Sequence, residues 1–138
     1  MTHVRKSLIA LIAALGWASA VPGARASAVD DLLKHYTELG AANFSAEAGE
    51  VFFDRAVIDA KTGEPRKCTL CHTTDLRRTG KHATTGKVIE PLAPSANPKR
   101  LTDARDIEKW LARNCKWTLG RECTPQEKGD VLVMIRGR

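Results

Sequence analysis

Apolar positions along the chain fall into helical stripes at its two ends, separated by a long polar stretch. Val29, Leu32, Leu33 and Tyr36 recur at helical spacing, Asp30 and Asp31 suit a positive first turn, and Gly40 is a natural stop. A second helix is expected to start with Ser45 as N-cap and run through AEAGEVFFDRAVI, offering Ala48, Val51, Phe52 and Ala56 for burial. DAKTGEPRK then reads as a turn. Between Thr73 and Leu101 no helical stripe survives. HATTGKVIEP reads as a short hairpin turning at Thr85-Gly86, and PLAPSANP as a stiff, extended run. So long a connection is usually functional or wrapped on something. Order returns at Thr102, read as an N-cap with Asp103 in the first turn. Ile107, Trp110, Leu111 and Asn114 follow at i, i+3, i+4 and i+7, which puts Asn114 on the core-facing stripe. Thr124, Pro125 and Glu127 form a capping box, and a last helix runs through KGDVLVMI to the basic terminus.

The N-terminal apolar run is of another kind. MTHVRK is a cationic start, SLIALIAALGWASAV falls short of the ~20 residues a membrane span needs, and ARASA offers small residues for cleavage. Residues 1–26 are therefore expected to be a cleaved secretory signal peptide, with a cut after Ala28 as the alternative, and residues 27–138 a single exported domain without stable membrane insertion. Cleavage removes Arg5, Lys6 and Arg25 and no acidic residue, so the net charge of +6 falls by three. The remaining charges are scattered, which argues against nucleic acid and suits an acidic protein partner. Large side chains are few for a domain of about 110 residues, so a bulky apolar cofactor at its centre would help it fold.

All four cysteines, Cys68, Cys71, Cys115 and Cys123, lie in the exported part. RKCTLCHTT carries three chemistries on its face: zinc binding, thiol exchange and haem attachment. A structural zinc site needs paired ligand spacings, and Cys115 and Cys123 fit no common second pair. A thioredoxin-like motif needs strand-helix-strand surroundings, which are missing here. C-x-x-C-H is the attachment signature of a c-type haem. Cys68 and Cys71 reach two adjacent vinyl groups, and His72 meets the iron from the same side. The opposite ligand is less obvious. Met134 sits among aliphatics and reads as core, His82 as a solvated loop residue, and His35 as a flank of the first helix. Asn114 needs a partner if buried, because an unpaired amide costs a few kcal/mol; a helix C-cap or a loop hydrogen bond would satisfy it, and so would iron. Cys115 and Cys123 can close a short loop beside it in an oxidising compartment.

Gly49 with Phe53 ahead of CTLCH resembles the glycine-aromatic helix of class I cytochromes c. That resemblance implies a small all-α fold of about four helices around one covalent haem c, with the helix at Ser45 packed on the one ending near Met134. PLAPSANPKRLTD followed by IEKWLARNCKWTLGRECTPQEKGD is similar to the Sphaeroides haem protein family of bacterial c-type cytochromes. The family implies His72 as proximal ligand, Asn114 as a displaceable distal ligand and a Cys115–Cys123 disulfide beside it. It further implies a periplasmic protein that takes electrons from another cytochrome, a dihaem cytochrome c, and binds oxygen, nitric oxide or carbon monoxide when ferrous. A related protein, cytochrome c″, has histidine where this chain has Asn114. Two other readings stand beside this one: a pure electron carrier with permanently six-coordinate iron, and a non-enzymatic gas sensor or scavenger. Oxidase or nitric oxide dioxygenase turnover is a use of an open site that the sequence does not specify. Arg66, Lys67, Arg77, Arg78 and Lys81 flank the motif and read as a docking rim or a solvated face.

Overall fold

The computed structural model describes residues 27–138, and the expected signal peptide lies outside the described residues. Among the described residues there are five helices and two two-stranded antiparallel ribbons. Helix α1 spans Ala28–Glu38. Its N-cap is Ser27, whose side chain accepts from the Asp30 amide while the Asp30 carboxylate accepts from the Ser27 amide. A chain beginning at Ser27 keeps this capping box; one beginning at Val29 loses it. Val29, Leu32 and Tyr36 face inward. The Tyr36 hydroxyl donates to Glu108, whose other oxygen accepts from Lys128 Nζ at 2.7 Å. One carboxylate thereby ties three helices together.

Helix α2, Ala46–Asp54, starts at Ser45 as expected but ends earlier than its apolar run. Arg55 turns extended, and Val57–Ile58 becomes strand β1, paired with β2 at Pro65–Arg66. The Asp59 carboxylate accepts from the Lys61 and Thr62 amides and shapes the turn between them. The buried face of α2 also differs from the expected one. Ala48, Val51 and Ala56 are exposed, and Gly49 and Phe53 are buried. A Cβ at Gly49 would lie 2.4 Å from the Asp130 carbonyl oxygen and 2.8 Å from Met134 Cβ. The missing side chain is therefore what lets α2 cross the last helix, α5 at Pro125–Arg136. Asp130, buried on α5, accepts from the Ser45 amide at 2.8 Å and from Gln126 at 3.0 Å. This satisfied carboxylate pins the start of α2 to α5.

Helix α3, Thr69–His72, is a single turn that stops where Thr73 takes φ +63°. Strands β3 and β4, Gly80–Lys81 and Val88–Ile89, form the expected hairpin, with Gly86 at φ +69° in the turn. The PLAPSANP run is folded into turns rather than extended. Ala96 and Asn97 amides donate to the Ala93 oxygen, and Arg100 donates to the Pro91 and Glu90 oxygens at 2.9 and 2.8 Å. Helix α4 spans Ala104–Leu119 and is capped by Asp103, one residue after the expected Thr102. Gly120 ends it in the left-handed conformation.

The core has two clusters. Val29, Leu32, Tyr36, Ala41, Ile107 and Leu132 pack where α1, α4 and α5 meet. Phe53, Leu76, Ala93, Val131, Met134 and Ile135 pack α2 and the central loops onto α5. Met134 is 3% exposed in the second cluster, the core position expected of it. The remaining interior is a cavity between α3 and α4.

Candidate haem site

The cavity holds about 620 Å³, within the range of about 300–1,000 Å³ usual for cofactor and ligand pockets. One wall is the α3 turn with Cys68, Cys71 and His72, and the other is α4 with Trp110, Asn114 and Trp117. Phe53, Leu92, Leu101, Val131 and Ile135 supply apolar lining. Each wall has a local reason for its place. A Cβ at Gly80 would lie 2.0 Å from the Cys71 carbonyl oxygen, so glycine there lets β3 press directly on the α3 backbone. The Ala83 amide donates to Cys71 Sγ at 3.3 Å. The ring of Phe53 lies 6.0 Å from that of His72.

The electrostatics suit ligation. Burial, with the Arg100 charge added, pushes the His72 imidazole down to about 4, so the ring is neutral at neutral pH and keeps a lone pair to donate. Burial pushes the Cys68 thiol up to about 11, against smaller stabilising contacts from Thr118 and Arg55. That is the opposite of a thiol-exchange nucleophile, whose pKa is lowered. Cys68 and Cys71 are free cysteines, and among the described residues no three His, Cys, Asp or Glu side chains cluster as ligands for a metal ion.

Asn114 lies inside α4 and lines the same cavity as the α3 turn. The helix continues to Leu119, so Asn114 is not a C-cap. Contrary to the core-facing stripe expected of it, Asn114 is exposed, as is Trp110 one turn earlier, because this side of α4 faces the open cavity rather than packed core. Next to it, Cys115 is bonded to Cys123 with a Cα–Cα distance of 5.6 Å. The structure thus gathers Cys68, Cys71, His72 and Asn114 around one cavity and sets the disulfide beside the last of them. His35 is on the surface near Glu38. His82 borders the cavity, with its Nδ1 accepting from the Thr84 and Thr85 amides.

Arg66 departs furthest from its expected role. It turns inward instead of lining a rim, and its Nη1 donates to the Trp117 carbonyl oxygen at 2.8 Å. Lys67 and Arg77 are engaged with Asp54 and Asp75. No local pattern marks Arg66 for this role, since its partner lies 51 residues away.

An apolar cavity lined by two adjacent thiols and a neutral imidazole fits a covalent haem c. Comparison with known proteins agrees. A family model described as a domain of unknown function (DUF1924) matches residues 39–135. The chain is 44% identical over 104 residues to the cytochrome c-type protein SHP of Cereibacter sphaeroides, covering 75% of this chain and 79% of that protein. It is 34% identical over 136 residues to cytochrome c″ of Methylophilus methylotrophus, covering 94% and 92%. The solved structure of oxidized SHP, an oxygen-binding cytochrome c, superposes with a TM-score of 0.73 at 41% identity, over 81% of this chain and 98% of that one. Oxidized cytochrome c″ superposes at 0.69 and 32% identity, over 79% and 93%. The chain belongs to the Sphaeroides haem protein family of c-type cytochromes, which carry one covalent haem c.

Proposed function

We propose that this protein is a periplasmic cytochrome that accepts electrons from another cytochrome and binds a diatomic gas when reduced. The observation that carries the proposal is that Asn114 lines the same cavity as Cys68, Cys71 and His72. Cys68 and Cys71 would hold the haem as thioethers, and neutral His72 would offer its lone pair from the same turn. The haem supplies a reducible iron that takes oxygen, nitric oxide or carbon monoxide where a coordination position is free. Asn114 would govern that position: an amide oxygen is a hard, weak donor, better matched to ferric than ferrous iron, so with haem bound it would hold the oxidised form more firmly than the reduced one. Likeness to an oxygen-binding cytochrome supports the reading.

The donor is a cytochrome with an acidic docking face, a dihaem cytochrome c by the family's pattern. Lys87 and Lys99 border the cavity and suit such a face. The apolar N-terminal run and the c-type relatives support export to the periplasm. Carbon monoxide added to the reduced protein tests the proposal. A prompt shift of the c-type spectrum is expected. A reduced spectrum indifferent to carbon monoxide at neutral pH would leave a pure electron carrier, and absence of a covalent c-type haem would return the cysteines to zinc or thiol chemistry.

A further inference from the structure

Arg66 ties the two walls of the cavity to each other. Arg66 ends β2, two residues before Cys68, and so belongs to the segment that enters the attachment turn. Its Nη1 donates to the Trp117 carbonyl oxygen at 2.8 Å and pairs with Asp59 Oδ2 at 2.9 Å. Its guanidinium also lies 4.7 Å from the Trp117 ring centroid. Arg66 and Asp59 are mostly shielded, with side chains 24% and 14% exposed, so this pair is not a loose surface contact.

The partner is specific. Trp117 lies in the last turn of α4, where carbonyls have no intrahelical donor. The Gly120 amide satisfies Lys116, and Arg66 satisfies Trp117. A cation at a helix C-terminus also complements its negative end. Asn114 sits one turn earlier on the same helix and lines the same cavity as Trp117. The disulfide holds this stretch from another direction, through Cys115 to Cys123 at the approach to α5. That link fixes α4 relative to α5. It does not fix α4 relative to the Cys68–His72 wall, which is the spacing that matters for a ligand reaching across.

We infer that Arg66 is a positioning residue for Asn114: by holding the last turn of α4 against the attachment segment, it sets how firmly the distal amide is presented to the haem. This inference rests on the proposed role of Asn114. Asparagine is short, with two side-chain torsions, and cannot compensate for a backbone that drifts away. A weak donor depends on preorganisation for most of its occupancy. Loosening the latch should therefore lower ferric occupancy by Asn114 and leave the reduced form, from which Asn114 has already gone, unaffected.

A double-mutant cycle on the holoprotein tests this, with imidazole as the probe that competes for the distal position of the ferric form. Arg66→Met should raise ferric imidazole affinity by about tenfold and move the ferric spectrum toward that of Asn114→Ala, with carbon monoxide affinity of the reduced protein unchanged. Added to Asn114→Ala, Arg66→Met should have no further effect. Asp59→Asn, which keeps Arg66 but removes its ion pair, should give a smaller change of the same sign, and it carries the test if Arg66→Met does not yield folded holoprotein. An equal rise in both backgrounds would show that Arg66 acts without Asn114, and no rise in the wild-type background would show no latch; either result overturns the inference. If Asn114→Ala alone changes neither the ferric spectrum nor imidazole affinity, the distal-ligand reading itself fails, and the inference with it.

Discussion

Asn114, the ligand proposed above, is carried by the interior of α4 rather than by a loop. The i, i+3, i+4, i+7 spacing from Ile107 predicts a buried face for it, whereas Ile107 alone of that stripe is buried and Asn114 is exposed along the cavity. The two glycines that set the site's geometry were less readable. Gly49 was noticed only through its resemblance to a known helix, and nothing near Gly80 announces that its α-carbon meets the Cys71 carbonyl. Hydrophobic periodicity treats glycine as a blank, whereas close packing makes it a requirement. Gly49→Ala should lower the stability of the holoprotein by about 1–3 kcal/mol, since its Cβ would meet backbone and not a flexible side-chain tip. Thermal unfolding measures this, and an unchanged midpoint would mean that α2 and α5 tolerate separation. Gly80→Ala should reduce the yield of covalently loaded protein, because the new Cβ would displace the α3 turn that presents Cys71.

At the level of elements, capping chemistry was the most legible feature. Ser45 and Thr124 cap α2 and α5 as their sequences indicate. The β1–β2 ribbon was missed because each of its strands has only two residues, too few for an alternating pattern. Its apolar Val57 and Ile58 instead looked like more of α2. The loop between α4 and α5 is held by the disulfide and by Glu127. Both Glu127 carboxylate oxygens accept from Arg121, at 2.7 and 2.8 Å; one also accepts from the Thr124 amide and the other from Arg55. Hydrogen bonding from Arg121 leads the causes that bring the Glu127 carboxyl from an ordinary 4.5 down to about 2. A depressed folded-state pKa contributes stability that is present above 4.5 and is lost as pH falls through about 2. Glu127→Gln should therefore lower stability at neutral pH by about 2 kcal/mol and flatten its pH dependence between those values. Denaturant titrations across that range check it; a parallel loss at every pH would contradict it. Cys123→Ser should cost about 2.5 kcal/mol by chain entropy for a loop of 8 residues' separation. It should also leave Asn114 on a less constrained turn of helix.

For the whole molecule, the all-helical class and the single haem followed from one motif and the helical stripes. The arrangement of the interior did not. Two apolar clusters flank a cavity of cofactor size, which accords with a chain that has so few aromatic residues of its own. The charge pattern was misread at one important place. Arg66 counts as a surface charge in any sequence tally, yet it faces inward and joins the two walls of the site. Such a tie spans 51 residues and leaves no local trace. Docking of the electron donor should rest on the charges that remain outside, so reduction by an acidic donor should slow steeply as ionic strength rises. Stopped-flow reduction at several salt concentrations measures this, and a flat profile would remove electrostatic docking.

The most direct test of the central claim is the ferric absorption spectrum of Asn114→Ala beside that of the wild-type protein. Loss of the distal amide should shift the spectrum toward a high-spin form while the covalent c-type attachment through Cys68 and Cys71 stays intact. An unchanged ferric spectrum would mean that Asn114 is not the ligand across the cavity from His72.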